Sequence, residues 1–195
     1  MNLRETHDNL KIEVIGGIEM MSPPAYSNHN AVKNNIYHVF ISFLKDNVCI
    51  PIGDGEKLIL DNLGDKDYLV PDFFVICDRS KYRADAVYGS PDLVAEVLSP
   101  GTAVYDRGEK KDIYQGAGVK EYWIADPNNK SIEVYLLMDG FYRLDMIYRI
   151  AEDYESDEDK AKAKTKLTVN LFPHITVDLN DIFRYVNIWN NYLGG

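Results

Sequence analysis

The stretch PDLVAEVLSPGT, residues 91–102, decides how the rest of the chain is read. Leu93, Val94, Ala95, Val97 and Leu98 are apolar and Pro91 and Pro100 bound them, so the segment reads as a short buried strand running into a turn. Side chains alternate across a strand, which puts Glu96 on the same face as Val94 and Leu98. An ionised carboxylate among such neighbours is costly unless a partner compensates it. What Glu96 meets there is the first functional question.

Upstream, YLVPDFFVICD (68–78) is a second strand signal, and its Asp72 precedes Glu96 by 24 residues. Consecutive strands are commonly neighbours in space, so the two carboxylates can lie side by side. In an apolar sheet they would repel each other and lose solvation. Mg²⁺ takes oxygen ligands, needs only one or two carboxylates and keeps several waters, so a shared divalent cation resolves both costs. The alternative is that Asp72 caps a loop and Glu96 pairs with a buried Lys or Arg. Downstream, TAVYDRGEKKDIYQGAG (102–118) predicts a helix with Thr102 as cap and Gly118 as stop. Asp106, Lys110, Ile113, Tyr114 and Ala117 share one helical face, which points Lys110 toward the sheet and Lys111 away from it.

The remaining signals surround this centre. KIEVIGG (11–17) and IEMMSPP (18–24) read as a hairpin turning at Gly16-Gly17 and ended by Pro23-Pro24. A helix follows over 27–47, capped by Ser27 or Asn28, with Val32, Ile36, Val39, Phe40 and Phe43 on its apolar stripe and His29 near its start. VCIPIG and EKLIL are strand fragments, and RSKYRADAVYGS is a polar loop with a helical turn. EYWIADP is a strand whose Tyr122 and Trp123 read as core. SIEVYLLMDGFYRLDMIYRI (131–150) is a hairpin turning at Asp139-Gly140 and exposing Tyr135, Phe141 and Tyr142. The acidic 152–164 reads as a solvated linker or mobile loop, ITVDL as a strand, and 180–193 as a last helix capped by Asn180, with Ile182, Phe183, Val186 and Trp189 on one face. The order gives an α/β (α+β) layout around one central sheet.

The 195 residues suffice for one domain with a real core, and 46% hydrophobic and 12% aromatic residues describe a folded chain. No apolar run is long enough for a bilayer and the first residues lack a signal-peptide core, so the expected location is cytoplasmic. Cys49 and Cys77, far apart and in apolar strand-like segments, read as two reduced core thiols. The formal net charge of −10 argues against indiscriminate nucleic-acid binding, yet 152–159 alone carries six acids, and a basic cluster from Arg79 to Lys111 leaves room for a local positive surface.

Taken together, VPDFFVICD, then GSPDLVAEVLSPGTAVYDRGEKKDIYQGAGVKEYWIADP, resembles the "putative restriction endonuclease" domain family (Uma2-like) of the PD-(D/E)XK nuclease superfamily. IEVIGGIEMMSPPAYSNHNAV resembles that family's opening and ITVDLNDIF its close, with 151–166 as a local insertion, an acidic/basic loop. The resemblance implies a single restriction-endonuclease-like domain over 1–195. Its core runs over about 25–127: a central mixed sheet flanked by helices, with an N-terminal hairpin and a C-terminal hairpin plus helix. It makes Asp72 and Glu96 the motif acids. The motif lysine's usual place, two residues after the second acid, is Leu98, and Lys110 matches a family lysine on the following helix. The first-helix acid is missing, since 29–43 holds no Asp or Glu; Asn30, Asn34, His29 or Glu13 would stand in.

The implied function is a Mg²⁺- or Mn²⁺-dependent endonuclease acting on DNA. The metal would sit on Asp72, Glu96 and the main-chain carbonyl of Val97. Lys110 would orient the water or stabilise developing charge, and His29, Glu13 and Arg107 would lie at the site edge. The alternative is a nuclease-fold binding or assembly module without turnover, favoured by Leu98 and the acidic charge. A two-carboxylate glycosidase fits the strand context and Lys110 poorly. The family resemblance and the aromatic hairpin together imply a homodimer.

Overall fold

A computed structural model describes residues 10–22 and 26–187. The hairpin forms as expected: β1 (Lys11–Ile15) pairs antiparallel with β2 (Ile18–Ser22), and Gly16 and Gly17, both at positive φ, make the tight turn between them. The Pro23-Pro24 stop lies outside the described residues. Helix α1 (Ser27–Leu44) buries His29, Val32, Ile36, Phe40 and Leu44. Its stripe ends on Leu44 rather than Phe43, which is exposed, and Tyr26 rather than Ser27 or Asn28 holds the N-cap position, with no side-chain cap.

Strands β3 (Ile50–Gly53), β5 (Phe73–Ile76), β7 (Leu93–Val97), β8 (Glu121–Asp126), β9 (Ser131–Met138) and β10 (Phe141–Arg149) build one six-stranded mixed sheet in the order β10-β9-β8-β7-β5-β3. Among the described strands of this sheet only β7 and β8 pair in parallel, and that pairing needs a crossover. The crossover is not one helix. It breaks at Gly108 into α2 (Ala103–Arg107) and α3 (Glu109–Ala117). Thr102 sits at the N-cap position but accepts from the Ser99 amide through Oγ1 instead of capping the helix. Gly118 terminates α3 at φ +83°, as expected of a left-handed stop.

Helices cover both faces of the sheet. On one, Phe40 of α1 meets Phe73 and Trp123 at ring distances of 4.9 and 5.5 Å; on the other, Tyr114 of α3 lies 5.2 Å from Tyr122. Tyr122 and Trp123 are fully buried, as expected of core residues.

Several details correct the sequence reading. A two-residue strand, β6 (Val87–Tyr88), emerges from the polar loop and pairs with β4 (Leu58–Ile59). The acidic segment is not wholly irregular: Ser156 caps a short helix, α4 (Asp157–Lys162), by accepting from the Asp159 amide, and Arg149 grips Glu155 with two hydrogen bonds of 2.7 Å. β11 (Lys166–Thr168) gives β12 (Thr176–Asp178) a partner. The last helix, α5 (Leu179–Ile182), is capped by Asp178 rather than Asn180; the chain turns after Ile182, and Trp189 lies outside the described residues. Of the three hairpin aromatics only Phe141 is exposed. Tyr135 and Tyr142 pack against the core, and the Tyr142 hydroxyl donates to Val119 O.

The cysteines are the clearest correction. The antiparallel β3–β5 register sets Ile50 opposite Ile76, so Cys49 and Cys77 face each other at the next step and form a disulfide. The chain segment it closes spans 28 residues, for which loop entropy gives roughly 3–4 kcal/mol of stabilisation. Dithiothreitol is expected to lower the denaturant midpoint, and thiol titration of the unreduced, unfolded protein to find no free thiol; two free thiols with an unchanged midpoint would contradict the pairing.

Candidate active site

Register brings the two acids together. Phe73 pairs with Ala95 across β5 and β7, so Asp72 arrives beside Glu96, both on the α3 side of the sheet. The Asp72 amide donates to Glu96 Oε2 at 3.3 Å, and Asp72 Oδ2 accepts the Val97 amide at 2.9 Å. Because the N–H and C=O of one strand residue point the same way, the Val97 carbonyl also faces the Asp72 side.

What Glu96 meets is protein. Its Oε1 accepts from Lys110 Nζ at 3.0 Å and from the Tyr114 hydroxyl at 2.7 Å. Lys110 also lies 3.0 Å from Glu13 Oε1 and 3.8 Å from Asp106 Oδ1. The break at Gly108 keeps Asp106, Lys110 and Tyr114 buried on the sheet side, as the helical spacing predicts. Lys111 turns away and stacks 3.9 Å from the Tyr135 ring centre.

The N-terminal hairpin closes the site. It is pinned by paired amide bonds of 2.9 Å between Val14 and Tyr68, and by Asp67, which accepts from the Gly16 and Gly17 amides. Lys11 and Glu13, two residues apart, therefore share the inward face. Glu13 accepts from the Val70 amide and forms an ion pair with Lys110; Lys11 Nζ donates to Asp72 Oδ1 at 2.9 Å. His29 Nε2 lies 3.1 Å from Asp72 Oδ2. Of the expected edge residues, His29 and Glu13 are thus brought to the acids and Asn30 lines the same cavity, while Asn34 lies on the outer side of α1. Arg107 is not at the site: it forms hydrogen bonds of 3.0 and 2.8 Å with Glu133, and Asp126 lies nearby. Sequence reading missed Lys11. The signal for it was the alternation in KIEVI, which puts a base and an acid on one face of an otherwise apolar strand.

The charges do not balance. Glu13, Asp72, Glu96 and Asp106 are all buried, and the lysines among them are Lys11 and Lys110. Burial pushes Glu96 up to about 7, against the pull of Lys110 and Lys11 and with help from Asp72; burial likewise raises Asp106. Asp72 goes the other way. Burial would raise it, but Lys11, His29 and Lys110 hold it well below the usual carboxylate range. The site opens into a cavity of about 440 Å³. Among the described residues, two buried polar atoms near it have no hydrogen-bond partner: His29 Nδ1 and the hydroxyl of Tyr105, whose ring lies 5.5 Å from Lys110 Nζ. Among the described residues, no three His, Cys, Asp or Glu side chains are grouped as a cage for a metal ion. A hard cation that keeps most of its waters needs no such cage. Two adjacent carboxylates, an excess of negative charge and unpartnered polar atoms able to take water suit such an ion.

The family described as "Putative restriction endonuclease", Uma2, matches residues 2–160. The chain belongs to the Uma2 family. An "uncharacterized protein slr1290" of Synechocystis is 29% identical over 109 residues, 55% of this chain; the match spans 56% of that relative's length. The crystal structure of "a putative nuclease belonging to DUF820" from Anabaena variabilis superposes with a TM-score of 0.62 at 16% identity, covering 88% of this chain and 89% of that one, so the Uma2 chain shares its fold. No helix among the described residues is long and apolar enough to cross a membrane.

Lys110 neutralises carboxylates that are almost wholly buried. Lys110→Ala is expected to cost about 3–5 kcal/mol of stability by stranding buried charge, whereas Lys111→Ala should lose about 0.5–1 kcal/mol from its ring contact. Urea unfolding of the two variants checks this, and equal losses would contradict it.

Proposed function

We propose that the protein is a divalent-cation-dependent endonuclease that hydrolyses DNA phosphodiester bonds, with Asp72, Glu96 and the Val97 carbonyl holding Mg²⁺ or Mn²⁺. The observation that carries this reading is the charge imbalance: among the described residues, four buried carboxylates face two ammonium groups and the His29 ring, and a divalent cation would offset the excess of negative charge. Membership of the Uma2 family supports the reaction class. A bound cation would lower the pKa of a water and offset charge on the phosphate. In the overall reaction a water oxygen bonds to phosphorus, one P–O ester bond breaks, and the departing alkoxide takes up a proton. The chain's own residues prepare the ground. Val97 N–H and His29 orient Asp72; Lys110 and Tyr114 orient Glu96; Glu13 and Asp106 hold Lys110 in place.

A second reading, a nuclease-fold binding or assembly module, is favoured by one observation: each acid already has a lysine partner. Turnover on plasmid DNA separates the two, and metal binding tests the proposed site. Mn²⁺ is expected to raise the melting temperature of the wild type and not of Glu96→Gln; equal shifts in both would remove the proposed site.

We also infer a two-fold homodimer, the commonest closed oligomer. Phe141 is 67% exposed, and Met138, Leu144 and Ile147 surface on the same β9–β10 hairpin. Light scattering at micromolar concentration is expected to give twice the chain mass, and a monomer mass would refute the inference.

A further inference from the structure

The two lysines of the site are not equivalent. Lys110 Nζ touches Glu13 and Glu96 and faces Asp106, and its side chain is 3% exposed. It cannot swing to a substrate without stranding three carboxylates. The Lys11 side chain is 22% exposed and lines the cavity, and its ion pair is with Asp72 Oδ1. The Lys11 main chain is held by the pinned hairpin, but its four-carbon arm can pivot. The other Asp72 oxygen, Oδ2, already accepts from the Val97 amide and faces His29 Nε2. A cation arriving at Asp72 must therefore compete at Oδ1, where Lys11 sits.

We propose that Lys11 is the lysine that meets the scissile phosphate, and that it is released to do so when a divalent cation takes its place on Asp72. The inference rests on the nuclease reading and deepens it. In the free protein Lys11 acts as a tethered counter-ion that keeps the Asp72 carboxylate ionised. Once displaced, its ammonium stays in the cavity mouth and can donate to a non-bridging phosphate oxygen, the service that a lysine at position 98 cannot give because that residue is Leu98. Lys110 is then a positioning residue for Glu96 and Glu13.

Lysine footprinting with an amine-reactive acetyl ester, read by mass spectrometry, follows Lys11 in the wild type without relying on turnover. Labelling of Lys11 should rise severalfold when Mn²⁺ is added, because its ammonium then leaves the Asp72 carboxylate for the open cavity mouth. It should fall again when duplex DNA with phosphorothioate linkages is added, while Lys110 stays unlabelled throughout. Lys11→Ala should bind Mn²⁺ roughly tenfold more tightly, since one ammonium fewer opposes the ion. Its single-turnover cleavage at saturating Mn²⁺ should drop roughly 10²–10³-fold, with Lys11→Arg recovering part of the loss. Mn²⁺ binding with Lys11 still protected, unchanged or weaker Mn²⁺ affinity in Lys11→Ala, or wild-type cleavage by that variant would overturn the role of Lys11 alone. Failure of both wild type and Lys11→Ala to bind Mn²⁺ would overturn the nuclease reading and this inference together.

Discussion

The ammonium of Lys110 ties three parts of the chain that are distant in sequence. Glu13 comes from the opening hairpin, Glu96 from a central strand and Asp106 from the crossover, and all converge on one buried cation. Each carboxylate alone would be too costly to bury. The hairpin lies against the site because its inward-facing Glu13 finds there both the Val70 amide and Lys110. The crossover must bend at Gly108 while keeping Asp106 and Lys110 facing inward. One compensated charge thus organises strand, helix and hairpin at once.

The compensation is incomplete, and that gives the site its chemical meaning. Among the described residues, Lys110, Lys11 and the His29 ring face four buried carboxylates, and burial pushes Glu96 and Asp106 toward holding protons. In the proposed nuclease, a divalent cation would take the place of those protons. The service of a lysine at position 98 would, in the same proposal, fall to basic groups from outside that strand: Lys110 from the following helix, paired with Glu96, and Lys11 from the opening hairpin, paired with Asp72.

Much of this was legible in the sequence because it rests on local periodicity. Strand alternation placed Asp72 and Glu96 on one face, helical spacing placed Lys110 over Tyr114, and Gly118 marked its helix end. What escaped depends on register between distant segments. Lys11 reaches Asp72 from 61 residues away because a hairpin folds back over the sheet. Cys49 meets Cys77 only because β3 and β5 pair in one antiparallel register. The short helix at Asp157–Lys162 was masked by its charge, although Ser156 followed by Asp159 is a capping signal. Arg107 was expected at the site edge, yet Glu133 of the neighbouring hairpin claims it.

The central claim is that Asp72 and Glu96 form one cation-dependent site for cutting DNA. Conversion of supercoiled plasmid to nicked or linear forms tests it most directly, with wild type, Asp72→Asn and Glu96→Gln compared in Mg²⁺, in Mn²⁺ and in EDTA. The account predicts cutting by the wild type with either metal, none in EDTA, and none by either variant. Cutting that persists in EDTA or in either variant, or a wild type that binds Mn²⁺ and leaves the plasmid intact, would contradict it.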